Sequence, residues 1–426
     1  MNIEEILKIA RGIKIDSREI EEGDIFIGIK GEKINGSMFA EDAIKRGAIF
    51  AFVERGFKQK FSPSSKIVEV PDTLNFLWKI ARIKRKMNKK IKVIGITGSV
   101  GKTTLKDLIH HFLIKLNKNA LKSKKSYNNF IGVPLTLCEI KDEHEYLVCE
   151  IATNKKGEIE KLTKLVKPSA GIITKIAPAH IEFFGSIKEI FNEKINLFKF
   201  IKKPRYLIFN ENTYGTSYIK KNFKNVIFYN IEKEDYKIDG EEVNLNYKGI
   251  SFKYKGGGYA FLENLLCALK CIECEGFEIK DLKDALLDFK LPPLRMEKIE
   301  KNKITFIYDC YNSNPASSEA LFKTYKDLKK RKIFVMGDML ELGKRSKIYH
   351  MQIAKMAKEN GIEIILGIGK YTKYTIEKAK ELGIYGEHFE DFKKLSEKLK
   401  EISKENDLIL IKGSRKMEME KLKEYL

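Results

Sequence analysis

Cysteine is scarce and scattered: six residues in a chain of 426 are too few for a disulfide scaffold, so the thiols are expected to be reduced. Proline is rarer for the length, at nine, and with 29 glycines this excludes collagen-like and low-complexity architectures. Long apolar runs are missing as well. No stretch approaches the roughly 18 uninterrupted apolar residues that a membrane helix needs, which excludes a spanning role. The first residues, MNIEEILKIARGIKIDSRE, place acids where a secretory signal is basic and build no apolar segment, so the protein is expected in the cytoplasm. What the sequence does contain is 43% hydrophobic and 33% charged residues, over a length sufficient for two or three domains with cores of their own.

Eighty-one Lys and Arg against 59 Asp and Glu leave a formal charge of +22, which favours anionic ligands. The basic residues are spread along nearly every helical segment and mixed with acids, as in KEIFNEKINLFKF and KKLSEKLKEISKEN. That is the pattern of solvated faces rather than of a recognition arm, so no nucleic-acid partner is expected. Cys271 and Cys274 form a CxxC, but zinc would need a second pair of ligands that is not nearby. With Cys267 they fall at i, i+4 and i+7 in FLENLLCALKCIECEGF and read as small apolar residues on one helix face.

Short β-type runs alternate with turns and a helix from Ile13 to about Val70 (DIFIGIKGEKING, EDAIKRGA, IFAFVE), giving a small α/β unit. The basic stretch RIKRKMNKK, ending at Lys90, carries few core candidates and reads as a boundary. Beyond it KVIGIT, EYLVCEIA, AGIITKIA, PRYLIFN and NVIFYN alternate with helical patterns, the signature of a doubly wound, mainly parallel sheet. LPPLR, ending at Arg295, reads as the next hinge. ITFIYD, KIFVMGD, IEIILGIG and DLILIKG, separated by helices, then form a Rossmann-like α/β domain. The expected fold class is α/β with three domains, at residues 1–89, 90–292 and 293–426.

The segment KVIGITGSVGKTTLKDLIHHFL has an apolar strand, a glycine loop and a helix striped by Leu105, Leu108, Ile109, Phe112, Leu113 and Leu116. Gly98 and Gly101, with Ser99 and Val100 between them in the ATP-binding loop, allow backbone amides to turn toward a phosphate at the helix N-terminus. Lys102 can neutralise the β- and γ-phosphates, and Thr103, followed by Thr104, can hold Mg²⁺. Ile96 occupies the place of a further glycine in the strict Walker pattern, so the loop is a shortened variant; ATP binding is the prediction. His110 and His111, on the following helix, read as surface and packing residues.

In parallel α/β sheets ligands sit beyond the carboxyl ends of strands, and polar residues fall at several such ends. Glu150 closes EYLVCE and His180 follows AGIITKIAPA. Asp309 closes ITFIYD, Asp338 follows KIFVMG, and Lys412 and Ser414 follow DLILI. Each alone could be a loop residue or a helix cap. Together with the phosphate loop they outline one cleft between two domains, with Glu150 and His180 as candidate Mg²⁺ ligands. Lys194 lies in the middle of the apolar stripe of Ile187, Ile190, Phe191, Ile195 and Phe198. It reads either as a snorkelling side chain or as a partly buried amine with a lowered pKa and a chemical role.

ITGSVGKTT, SYNNFIGVPLT, EIATNKKGEIEKLTKLVKPSAGIITKIAPAHIEFFGSIKEIFNEK, YDCYNSNPASSEAL, VMGDMLELG and LIKGSRKMEMEKL, in that order, resemble the Mur ligases over nearly the whole chain. DSREIEEGDIFIGIKGEKINGSMFAEDAIKRGA likewise resembles their N-terminal domain for a UDP-sugar nucleotide. YNSNP, GDMLELG and KGSR point within the family to the member that joins D-Ala-D-Ala to a UDP-N-acetylmuramoyl-tripeptide, using ATP and an acyl phosphate. The DNPR-type motif of the diaminopimelate- or lysine-adding relative is absent.

The resemblance implies roles residue by residue. Lys102 and Mg²⁺ would stabilise phosphoryl transfer, with Thr103 and Glu150 on one magnesium and His180 at another metal position. Lys194 would be carbamylated and serve the second magnesium. Asn264 would sit by the adenine, Arg295 by the triphosphate and Asp309 by the ribose. Asn128 and Asn129 would contact the UDP-peptide, as would Lys412 and Ser414, with Ser17 and Arg18 at the nucleotide end. The chain departs from the family pattern at Ala260 and Phe261, where a His-Asn pair is usual, at EIA following Cys149, and at Gly36-Ser37. A divergent relative acting on another nucleotide-linked peptide, as pseudomurein ligases do, is one alternative. A P-loop NTPase driving a partner or nucleic acid, and a non-catalytic nucleotide-binding subunit, are others. A monomer is expected.

Overall fold

The computed structural model describes residues 3–63, 66–124, 127–240 and 242–425; Ser126, which opens the SYNNFIGVPLT motif, lies outside them. Four short strands, Ile13–Lys14, Ile25–Ile27, Phe50–Glu54 and Ile67–Val70, pair in chain order and all in parallel. Parallel neighbours need a crossover. Helix Ala40–Lys45 lies on one such crossover and packs Ala40 and Ala43 with Phe26, Ala51 and Val53.

Asp72 then caps helix Thr73–Met87 by accepting a hydrogen bond from the Asn75 amide at 2.6 Å. The basic run that reads as a boundary is the end of this helix, and its Arg85 is only 9% exposed. The Arg85 guanidinium donates to the carbonyls of Val166 at 2.7 Å and Lys167 at 3.1 Å. These are unpaired carbonyls at the end of helix Glu158–Val166, where the negative end of the helix dipole favours a cation. Trp78 Nε1 adds a bond to Phe130 O at 2.8 Å, so the helix is fastened to the central layer.

The central sheet has six parallel strands in the order Val226–Tyr229, Tyr206–Asn210, Ala170–Ile173, Lys92–Thr97, Tyr146–Glu150 and Ala120–Lys122. Burial on both faces explains the near-continuous apolar runs. Along Lys92–Thr97, Ile94 and Ile96 pack with helices Lys102–Lys115 and Gly258–Cys274, and Val93 joins the opposite layer. Crossovers leave this strand toward both sides of the sheet, which opens a crevice at its carboxyl end. Ala120–Lys122, three residues at the sheet edge, is too short to show a pattern in the sequence.

A small antiparallel sheet, Asp235–Asp239, Glu242–Tyr247 and Ile250–Lys255, follows and was not expected from the sequence. It packs Val243, Leu245 and Phe252 against helix Gly258–Cys274. In that helix Cys267 and Cys271 are buried, Cys274 is half-buried, and all six thiols of the chain are unpaired.

The last sheet runs Glu297–Lys301, Ile304–Tyr308, Leu408–Lys412, Lys332–Gly337, Ile364–Ile368 and Tyr385–Phe389, antiparallel only at its first pair. Its four central strands are those read from the sequence, and the two polar edges are additions. Among the described residues no helix is long and apolar enough to cross a membrane.

Removing the Arg85 side chain strands the buried Val166 carbonyl and the part-buried Lys167 carbonyl. Arg85→Ala is expected to cost about 2 kcal/mol, read as a lower thermal midpoint together with faster amide exchange across Thr73–Met87. Unchanged exchange in that helix would contradict its role as the fastening.

Candidate active site

Strand Lys92–Thr97 leads through a tight loop into helix Lys102–Lys115. Two loop positions admit only glycine. Gly98 has φ +149° and a Cβ there would stand 1.8 Å from Thr174 Oγ1, while Gly101 has φ +86° and a Cβ would stand 2.6 Å from Asn264 Oδ1. The turn exposes backbone amides at the helix N-terminus, where unpaired N–H groups and the helix dipole favour an anion. Lys102 folds back to donate to the Gly98 carbonyl at 3.0 Å. Burial pushes its amine pKa down; the charge of Glu150 opposes this and that of Arg295 adds to it. A cation held by neutral carbonyls gains from exchanging them for phosphate oxygens.

Glu150 closes strand Tyr146–Glu150 at 1% exposure. Its Oε2 accepts from the Thr103 hydroxyl at 2.9 Å and its Oε1 from the Asn128 amide at 2.8 Å. Its own N–H donates to Ser123 Oγ at 3.1 Å. A hydroxyl beside a carboxylate at the mouth of a phosphate loop is an all-oxygen donor pair suited to Mg²⁺, which commonly takes one or two carboxylates and completes its shell with phosphate and water. Among the described residues no group of three or more His, Cys, Asp and Glu is placed to hold a metal.

His180 caps the short helix Ile181–Phe184 in the left-handed region, φ 58°, and its Nδ1 pairs with Glu341 across the cleft. That bond, more than any other influence, holds the Glu341 carboxyl below its ordinary pKa. Lys194 ends helix Ile187–Lys194 and is 4% exposed, so the snorkelling alternative does not hold: the side chain is buried rather than lifted to the surface. Burial first, and then the charge of Lys102, push its amine down to about 7, against opposing Glu193 and Glu150. Buried Glu193 accepts from the amides of Gly157 at 2.7 Å and Ile159 at 2.8 Å. This clamps the helix end that carries Lys194 onto the start of helix Glu158–Val166.

The C-terminal sheet forms the opposite wall. Lys412, 1% exposed, ion-pairs with the Asp309 carboxylate and donates to the carbonyls of Asp309 and Asn312, each at 3.2 Å. The Arg295 guanidinium lies over the Tyr311 ring, 4.3 Å from its centroid. Asn264 Nδ2 donates to Ala260 O at 2.8 Å, which fixes its carbonyl oxygen against Gly101.

Ser99, Val100, Gly101, Lys102, Thr103, Thr104, Asn128, Glu150, His180, Asn264, Arg295, Asp309 and Lys412 border one cavity of about 280 Å³. Others named from the sequence lie outside its lining. Gly98 shapes the loop, and the Lys194 amine sits within electrostatic reach of Lys102 and Glu150. Asn129 Oδ1 accepts from the amides of Ile131 and Gly132 at 3.1 and 2.9 Å, starting helix Gly132–Cys138. Asp338 caps helix Thr372–Glu381 through the amides of Lys370, Tyr371 and Thr372, and Ser414 Oγ accepts from Leu340 N at 2.9 Å; both shape loops.

Ser17 is buried with its hydroxyl on Asp42, whose carboxyl it lowers. Arg18 pairs with Asp16 and lowers that carboxyl to about 2. This turn lies beside the Asn128 segment: the Tyr127 phenol is raised by burial and by the nearby carboxylates of Glu19, Glu139 and Asp16. Sequence reasoning missed Lys175, Glu263 and Tyr311, which also border the cavity. For Lys175 the strand-end position after AGIIT was the available signal.

Three family models match the chain: the Mur ligase family catalytic domain over residues 10–85, the Mur ligase middle domain over 96–271, and the Mur ligase glutamate ligase domain over 294–415. A UDP-N-acetylmuramoyl-tripeptide–D-alanyl-D-alanine ligase of Buchnera aphidicola is 33% identical, covering 97% of this chain and 92% of the relative. The crystal structure of MurF from Acinetobacter baumannii superposes with a TM-score of 0.86 at 25% identity, covering 99% of this chain and 97% of that one. MurF ligase from Thermotoga maritima, solved in complex with ADP, gives 0.84 at 26% identity, covering 100% and 98%.

The loop geometry makes a direct prediction. Gly98→Ala is expected to abolish ADP binding in calorimetry while leaving the circular dichroism spectrum intact, since the added methyl collides with Thr174 and re-aims the amides. Retained binding would refute the loop as an anion site.

Proposed function

This chain belongs to the Mur ligase family, and from that premise we propose that it joins D-alanyl-D-alanine to a UDP-N-acetylmuramoyl-tripeptide, using ATP, to complete the peptide of a peptidoglycan precursor. The carboxylate that ends the tripeptide takes the γ-phosphoryl group and ADP leaves. The dipeptide amine attacks the acyl phosphate, the tetrahedral intermediate expels phosphate, and an amide remains. What supports the reading is the gathering of a phosphate loop, a buried carboxylate and cations from two sheets around one cavity, in a chain so similar over its length to a ligase of that name.

Phosphoryl transfer spreads negative charge over several oxygens. Lys102 leaves the Gly98 carbonyl to meet that charge, and Arg295, braced on Tyr311, meets it from the other wall. Thr103 and Glu150 would hold Mg²⁺, with His180 at a further metal position; bound there, Mg²⁺ supplies Lewis-acid neutralisation of the phosphate oxygens. Asn264 lies at the adenine end and Asp309, positioned by Lys412, at the ribose. Asn128 faces the UDP-peptide, and the turn of Ser17 and Arg18 lies toward its nucleotide end, with Asn129 and Ser414 supporting the surrounding loops. Lys194, with a pKa near 7, has a neutral amine fraction whose lone pair can add to CO₂, losing a proton to give a carbamate. That carbamate would be a further anionic ligand for Mg²⁺.

The reading divides the chain into domains at 1–89 for the UDP-sugar, 90–292 for ATP and 293–426 for closing the cleft. Its substrates are cytoplasmic solutes and every group it calls on comes from one chain, so a cytoplasmic monomer suffices, with no nucleic acid or membrane partner.

Phosphate release provides the test. It is expected to be nearly silent with ATP alone and to need both the UDP-muramoyl-tripeptide and D-Ala-D-Ala; release driven instead by RNA or DNA would favour an NTPase. Lys102→Ala is expected to lose at least a hundredfold in turnover. Lys194→Ala is expected to be inactive and partly rescued by short-chain carboxylic acids, and full activity without them would return Lys194 to a packing role.

A further inference from the structure

Lys175 and Glu263 have no part in the reading above, yet both border the nucleotide cleft. Lys175 stands two residues beyond strand Ala170–Ile173, and its backbone is stitched to the phosphate loop. Ser99 N–H donates to Lys175 O at 2.8 Å, Val100 forms an antiparallel bridge with Lys175, and the hydroxyl of the preceding Thr174 donates to Val100 O at 2.6 Å. The amine of Lys175 is therefore tethered to the loop by one side chain's length, on a stem that turns freely through four carbons.

That amine lies 3.7 Å from Glu263 Oε1, with the two side chains 17% and 11% exposed. The separation is longer than a hydrogen bond, so the pair attracts without satisfying the donors of the ammonium. Glu263 sits one residue before Asn264 on helix Gly258–Cys274, and the Asn210 amide reaches it at 3.4 Å. Burial raises its carboxyl pKa despite the lysine beside it. A half-desolvated cation whose charged partner among the described residues stands 3.7 Å away gains when an anion offers short, charge-assisted bonds. A nucleotide tail entering beside Ser99 and Val100 brings such oxygens to the segment that carries Lys175.

We propose that Lys175 is a second phosphate-binding lysine of this cleft, parked on Glu263 at rest and transferred to a nucleotide phosphate oxygen when the site fills. The proposal rests on the loop being the nucleotide site. It distinguishes Lys175, which holds the bound nucleotide, from Lys102, whose amine meets the transferred group. It also gives Glu263 the task of holding a half-buried lysine in place while the cleft is empty.

Calorimetric titration of the full chain with ADP and, separately, with adenosine tests this, using Lys175→Met, Lys175→Arg and Glu263→Gln. Lys175→Met is expected to weaken ADP about tenfold, one charge-assisted bond's worth, and to leave adenosine binding unchanged; Lys175→Arg recovers most of the loss. Glu263→Gln keeps an acceptor for Asn210 but no longer competes for the amine, so ADP should bind a few-fold more tightly. A merely structural pair behaves otherwise: both Lys175→Met and Glu263→Gln would weaken ADP, and adenosine with it, and that result overturns the proposal, as does unaltered ADP binding in Lys175→Met. Absence of ADP binding in the unmodified chain would remove the nucleotide site itself, and this inference with it.

Discussion

Glu150 carries its carboxylate at 1% exposure at the carboxyl end of a strand, and a charge placed there has to be met by donors before the surrounding layers can close. Each hydrogen-bond partner of Glu150 comes from a different part of the chain. Thr103 brings the first turn of the helix after the phosphate loop, and Asn128 brings the segment that lies against the N-terminal layer. Ser123, which accepts from the Glu150 amide, brings the end of the edge strand. Satisfying one carboxylate thus sets the relative placement of the loop and the Asn128 segment. It also sets the electrostatics, since the amines of Lys102 and Lys194 are both drawn by the same charge while burial works against them.

Around that carboxylate the cleft is richer in cations than in anions. Lys102, Lys175, Arg295 and Lys412 line it with Glu150, Glu263 and Asp309, and Lys194 adds a further amine behind the wall. In a partly desolvated site such an arrangement is oriented in advance for a polyanion, so little reorganisation is left for the reaction. The formal charge of +22 steers anions toward the molecule, but it is this local surplus, at the strand ends, that selects where they go.

The cleft also depends on two domains meeting on both of its sides. On one, Tyr259 N donates to Thr324 Oγ1 at 2.9 Å, and Thr324 fits against Gly258 so closely that a Cβ there would be 2.3 Å from its hydroxyl. On the other, Glu182 N donates to Glu341 O at 3.0 Å beside the His180 pair. Between the two domains the chain turns through left-handed backbone at Leu294 and Met296, φ 58° and 54°, on either side of Arg295. Arg295, which borders the cavity from the C-terminal wall, is therefore aimed by the hinge itself.

Local rules made much of this readable from the chain alone. Apolar runs marked the central strands of both large sheets, the glycine spacing marked the phosphate loop, and residues at strand ends marked the cleft, because periodicity, backbone freedom and parallel topology each act over a few neighbouring residues. Edge elements such as Ala120–Lys122, Glu297–Lys301 and Tyr385–Phe389 escaped, since half-exposed or very short strands carry little pattern. The function of a polar residue at a strand end was the other gap: Glu150 and Asp309 face the cavity, whereas Asp338 and Ser414 spend their hydrogen-bonding capacity on loops. Sequence by itself settled the fold class and the family. Only the tertiary structure decided that Arg85 ends on another helix's carbonyls, that Lys194 is buried, and that Lys175 meets Glu263. Each of those outcomes is a contact between segments far apart in the chain, set by which crossover packs on which face, and no local pattern encodes such a distance.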